Sequence, residues 1–160
     1  MLELLIGIAV LAILVTIAVP SLSDLIKSNR VTGQTNELVS IINFARNEAI
    51  RRNENIPVVL TSTADGWSGE VRDPSGDGAE SCTAQGALRC ADYRDVQLSQ
   101  DIDNTSDTAT MTFNSRGYLT PFSPVNIDLE HDDCRNSRHR RTISILPTGQ
   151  VSSVETACSG

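Results

Sequence analysis

Four short stretches carry side chains able to do chemistry. The first is "EHDDC", where His131 and Cys134 are both metal-ligating types. A zinc site needs four ligands, commonly delivered as two closely spaced pairs. No second pair stands at such a spacing, so a polar turn carrying a disulfide cysteine is the favoured reading. The second is "DPSGDGAE". Asp73, Ser75, Asp77 and Gly78 match the first half of a calcium loop, in which alternate residues supply oxygens around a turn-forming glycine. The twelfth position of that motif requires a chelating glutamate and is Ala84 here. A calcium candidate without its strongest ligand reads first as an acidic surface turn. The third is "CRNSRHRR", which gathers Arg135, Arg138, His139, Arg140 and Arg141. Such a run contacts nucleic-acid phosphates or an acidic partner, or is a solvated charge run at the start of a strand. The fourth is Glu3, a carboxylate heading an uncharged apolar run from Leu4 to Val19 that Pro20 closes. An acid beside a membrane helix is costly unless it reaches the interface or a partner, which makes Glu3 a functional candidate. Capping the helix dipole is its structural alternative.

Catalytic motifs are missing. There is no G-x-S-x-G, no H-E-x-x-H and no phosphate-binding glycine loop, so the chain reads as a non-enzyme without a cofactor. The formal net charge of −7 repels phosphate overall and argues against a protein that coats nucleic acid. The four cysteines form no CxxC pair. Behind a membrane segment they suggest disulfides in an oxidising compartment. Three connectivities are open to four cysteines. The lower closure cost of short loops favours Cys82–Cys90 and Cys134–Cys158, the latter tying down a polar tail that would otherwise fray.

The elements that must position these groups follow from periodicity. A span needs ~20 apolar residues, which Leu4–Val19 supplies once Ser21 and Leu22 extend it. No basic residue precedes the run, so a cleaved signal peptide is disfavoured. Past Pro20 the pattern stays helical. Leu38, Ile41, Ile42, Ala45 and Ala49 recur at three and four, and Glu48 precedes Arg52 by four on the other side. One long helix is expected, kinked near Pro20, apolar all round in its first half and amphipathic in its second. After Asn55 short β-branched runs take over: "IPVVLTS", "SGEVRD", "YRDVQLS", "TATMTF", "VNIDLE", "RTISIL" and "QVSSV". Turn signals at Asp65-Gly66, Arg116-Gly117 and Pro147-Thr148-Gly149 separate several of them. Alternation at Val125, Ile127 and Leu129, and at Ile143 and Ile145, implies an antiparallel sheet with one face needing cover. The amphipathic half-helix is the element able to cover it. The fold expected is α+β, with residues 1–26 as a protruding apolar helix and residues 27–160 as a globular head.

"LELLIGIAVLAILVTIAVP" resembles the N-terminal helix of type IV pilins and pseudopilins, in which a glutamate opens an apolar stretch and a proline ends it. The resemblance implies that Glu3 meets the N-terminal amine of a neighbouring subunit in a filament core and assists N-methylation. It implies that Pro20 marks where the helix bends or melts during assembly. Met1 stands where the third mature residue would, which implies that a leader and the first mature residues lie upstream. Ala12 replaces a glycine usual in major pilins, and Gly7 is the segment's one glycine. Further phrases are similar to the GspH and FimT/FimU branch of minor pilins: "FARNEAIRRN" at the helix end, "MTFNSRGYLTP" in mid-domain and "RTISILPTGQVS" near the close.

The resemblance implies a type IV pilin fold and a minor pilin that packs with other major and minor pilins. It would sit in the inner membrane with a periplasmic head before assembly, and at the cell surface in a pilus afterwards. A FimU-like structural subunit at or near the pilus tip is the favoured reading. Two alternatives stay open: a FimT-like DNA receptor for natural transformation, and a GspH-type pseudopilin of a type II secretion system. FimT-like receptors carry a Gly-Arg-x-Arg phrase in the closing hairpin. The matching residues here are Gly149, Gln150, Val151 and Ser152, without either arginine.

Overall fold

The computed structural model describes residues 2–63, 65–75, 87–100 and 108–159. Its first element is α1, Leu2–Arg52. At 1.5 Å per residue a helix of this length reaches roughly 75 Å, far more than the head can cover. The helix is continuous through Pro20. A proline there removes one intrahelical donor, and the turns on either side carry the helix across. At the other end Asn53 takes a left-handed φ of 58°, and the Glu54 N–H donates to the Ala49 carbonyl at 3.2 Å. That is the closing bond of a Schellman cap, with asparagine in the place usually held by glycine.

The two halves of α1 have opposite environments. Among the described side chains from Leu4 to Ile26, the large apolar ones stand exposed. From Val31 onward one stripe is buried: Val31, Leu38, Ile41, Ile42, Ala45 and Ala49 are all fully covered. This is the face expected from the three-four spacing.

The strands form two antiparallel sheets rather than the single sheet expected from alternation. In the first, β1 (Ile56–Thr63) is flanked by β2 (Gly66–Arg72) and β5 (Thr108–Phe113). Beyond them lie β3 (Ala87–Arg94) and the two-residue β6 (Leu119–Thr120). The second runs in the order β4 (Val96–Gln100), β7 (Val125–His131), β8 (Arg140–Ile145), β9 (Val151–Glu155). The division occurs inside "YRDVQLS", which reads as one strand. Asp95 takes φ 65°, a conformation that interrupts a strand, and its N–H donates to the Asp65 carbonyl at 2.9 Å. Residues before it pair with β2 and those after it with β7.

The helix stripe packs on both sheets and one core results. Val58, Leu60, Trp67, Met111 and Phe113 come from the first sheet, and Leu98, Ile127, Leu129, Ile143 and Ile145 from the second. Within it, Gln34 satisfies two buried groups. Its Oε1 accepts from the Trp67 indole at 2.7 Å, and its Nε2 donates to the Arg94 carbonyl at 2.9 Å. Gln34 thus pins α1 to the strand that leads out of the first sheet.

Candidate assembly surface and basic cluster

Glu3 lies exposed in the first turn of α1. It is the one charged residue from Leu2 to Ser23. Among the described residues α1 is the helix long and apolar enough to cross a membrane, and its apolar window is uncovered throughout. Pro20 lies within the same continuous helix. A surface of this kind needs lipid or other apolar helices around it, because the head leaves it bare.

The arginine run is a structural network more than a free patch. In β8, Arg140 donates to Asp128 at 2.8 Å and to the Ala157 carbonyl at 3.1 Å, and Glu130 lies 3.5 Å from its Nε. Arg141 donates to Glu155 at 3.0 Å. Both pairs follow from register: β7 supplies Asp128 and Glu130 beside Arg140, and β9 places Glu155 opposite Arg141. Arg135 donates to Asp133 at 2.8 Å. His139 is fully buried. The Arg135 N–H donates to its Nδ1 at 3.3 Å, so Nε2 carries the proton and faces the Asp24 carbonyl of α1 at 3.3 Å. His139 therefore docks the loop on the helix and is not available to a ligand. Arg138 is the exception. It is exposed, at the centre of the 3-10 turn Ser137–His139.

Charge also ties this loop to α1. Lys27 pairs with Asp133, and Arg30 pairs with Asp95 at the strand break. Hydrogen bonds from Arg135 and then Lys27 hold the Asp133 carboxyl down at about 2. Burial pushes the neighbouring His131 imidazole below its ordinary range, and its Nδ1 accepts from the Asp133 N–H at 3.1 Å. His131 is thus engaged in its own turn. A disulfide joins Cys134 to Cys158 with Cα atoms 5.8 Å apart, fastening the chain's last residues to the same loop. Cys90 is disulfide-bonded. Its expected partner, Cys82, lies outside the described residues.

Asp73 and Ser75 of the half calcium loop are committed elsewhere. The Asp73 side chain is 2% exposed. Its Oδ1 accepts from the Ser75 N–H at 2.9 Å and from the Ser75 hydroxyl, and its Oδ2 accepts from Arg52 at 2.8 Å. These bonds, the serine's first and the arginine's after, hold its carboxyl below the usual range. Asp73 caps its own turn and anchors the end of α1. Asp77 lies outside the described residues.

One constellation escaped sequence reasoning although its phrases were noticed singly. Arg46, from "FARNEA", donates to the Gly117 carbonyl at 3.2 Å. Gly117 and Gly149, from "SRG" and "PTG", both take left-handed conformations, φ 76° and 80°. A Cβ on Gly149 would stand 2.4 Å from the Gly117 carbonyl oxygen and 2.8 Å from Arg46 Nε. The Leu119 N–H donates to the Pro147 carbonyl at 2.9 Å, linking the two turns and hence the two sheets. Three separate phrases thus build a single contact at the head end of α1. Their sequence separation hid it, and glycine in two turn phrases was the available signal.

A family model described as Type II transport protein GspH matches residues 34–149. The fold is similar to that of the type IV minor pilin FimU of Pseudomonas aeruginosa in two crystal forms. One is 17% identical, with 77% of this chain and 91% of that chain covered and a TM-score of 0.54. The other is 18% identical, with 78% and 87% covered and a TM-score of 0.55. It is also similar to the minor pseudopilin EpsH from the Type 2 Secretion System of Vibrio cholerae, at 8% identity, 79% and 97% coverage and a TM-score of 0.54. No curated protein sequence matches the chain.

Proposed function

The chain belongs to the GspH family of minor pilins and pseudopilins, and we propose that it is a FimU-like minor type IV pilin, a structural subunit at or near the pilus tip. The carrying observation is the bare apolar half of α1, in which Glu3 is the one charge from Leu2 to Ser23. Residues 1–26 anchor the chain in the inner membrane and then enter the filament core. Residues 27–160 form the periplasmic head. Glu3 neutralises a neighbouring subunit's terminal amine among packed helices, a pairing that apolar surroundings make strong. Pro20 is the point at which the helix yields during assembly. The partners are other pilins. The pairing of Arg135, Arg140 and Arg141 within the fold supports a structural role over a DNA receptor.

The second reading is a secretion-system pseudopilin. The name of the matching family model favours it. Deleting the gene in its native host separates the two. The pilin reading expects surface pili to fall several-fold while exoprotein secretion continues. The reverse phenotype assigns the chain to secretion. Within either machine, Glu3→Gln in the full precursor should reach the membrane yet enter filaments several-fold less well by immunoblot of sheared fibres. Wild-type incorporation would remove the role given to Glu3.

A further inference from the structure

We propose that the junction of anchor and head holds a zwitterionic aminophospholipid, its phosphate on Arg138 and its ammonium on Asp24. This rests on the membrane-anchored reading given above. Arg138 and Asp24 line one groove of about 560 Å³ with Val15, Val19, Leu22 and Leu25 of α1. Counting ~20 residues of helix for a bilayer core from Leu4, the first residue of the uncharged run, brings Ser23 to the hydrocarbon boundary. Asp24 and Leu25 then lie at headgroup level, with Val15 and Val19 at the depth of the upper acyl chains. The groove is therefore continuous with the span, apolar below and charged above.

The pattern of pairing singles out this side of the helix. Across α1, Val19 and Leu22 also border a second groove with Ile26, Lys27, Arg30 and His131. There the two cations are already matched by Asp133 and Asp95. Arg138 makes no side-chain hydrogen bond or ion pair among the described residues, whereas Arg135, Arg140 and Arg141 each have a carboxylate. Asp24 shares the groove with Arg138 but forms no salt bridge with it, and it lies in the field of Arg135. One guanidinium and one carboxylate at separate points of an apolar trough match a head bearing both a phosphate and a primary amine. A purely anionic head would meet Asp24 as a like charge. A trimethylated head offers that carboxylate no hydrogen bond.

The site is built rather than floppy. Asn136 accepts from the Arg138 N–H at 3.0 Å. His139 fastens the same turn to the Asp24 carbonyl, and the Cys134–Cys158 bridge closes the loop behind it. Arg138 is presented to the groove from a backbone locked to the helix that crosses the bilayer.

The test uses the full chain in vesicles containing equal parts of phosphatidylethanolamine, phosphatidylglycerol and phosphatidylcholine. Flotation first establishes whether the chain is bilayer-bound. Native mass spectrometry after mild detergent extraction then counts retained lipids. The expected result is preferential retention of one phosphatidylethanolamine. Arg138→Gln should lower that retention about tenfold, the effect of losing one charge-assisted hydrogen bond. Asp24→Asn should shift retention toward phosphatidylglycerol, and excess soluble phosphoethanolamine should not displace the lipid. Trp67 fluorescence verifies folding of both variants. A chain that fails to float overturns the anchoring reading and the proposal together. A chain that floats but retains the three lipids equally, or retains phosphatidylethanolamine unchanged in Arg138→Gln, overturns the proposal alone.

Discussion

At the scale of single residues, Gly149 is constrained both by its backbone angle and by its neighbours. Its φ of 80° costs an L-residue about 1–2 kcal/mol, before the added Cβ meets the Gly117 carbonyl at 2.4 Å. Gly149→Ala should therefore destabilise the chain by at least ~2 kcal/mol, read from the urea midpoint in detergent. Arg46→Ala deletes the hydrogen bond to the Gly117 carbonyl but forces no backbone change, so it should cost only ~1 kcal/mol. Equal effects would mean that the turns are held elsewhere. Neither residue is charged with chemistry; both set how the two sheets meet on α1.

Among elements, the loop between β7 and β8 is fastened three ways: the Cys134–Cys158 bridge, His139 on Asp24, and Asp133 between Lys27 and Arg135. Replacing Cys134 and Cys158 together with serine should cost ~3 kcal/mol, as is typical for a loop of this length. It should also free the tail after Val154 for proteolysis. Peptide mapping without reduction should return that bridge and, for Cys90, a link to Cys82. A Cys90–Cys134 product would refute the pairing. The pH dependence of this loop follows from Asp133. Its carboxyl titrates at about 2 when folded against an ordinary 3.8. The stabilisation is therefore complete above pH ~4 and fades as pH falls toward 2. Amide protection through residues 131–135, taken relative to the intrinsic exchange rate at each pH, should fall over that window in the wild type. Asp133→Asn should exchange fast at neutral pH and show no such step.

For the molecule as a whole, charge decides between a scaffold and a nucleic-acid receptor. The net charge is −7, and three of the four arginines of the run are paired with carboxylates within the fold. The head, residues 27–160, should bind duplex DNA no better than an acidic control protein at ~150 mM salt, a condition under which weak phosphate contacts are lost. Arg138→Gln should leave that null result unchanged. Salt-sensitive micromolar binding in a gel shift, abolished by replacing Arg138, Arg140 and Arg141, would instead make this chain a DNA receptor. Arg140 and Arg141 also brace β7, β8 and β9, so the unfolding midpoint of the triple variant must accompany that measurement.

Periodicity is a local property, and so the chain's own residue order determined α1, its buried stripe from Leu38 to Ala49, and the alternation that makes β7 and β8. The run from Leu4 to Val19 with Glu3 at its head was equally plain, because an uncharged stretch behind a lone carboxylate is read directly from residue order. Pairing is not local. That Arg140 meets Asp128, that Arg141 meets Glu155, and that Arg138 meets no carboxylate among the described residues depends on strand register and on a single left-handed residue, Asp95, that sends β4 into a second sheet. Salt screens Coulomb attraction between exposed charges beyond about 8–10 Å, so only charges brought close by the fold pair. Which charges are spent within the fold and which remain for a partner was therefore decided by tertiary structure.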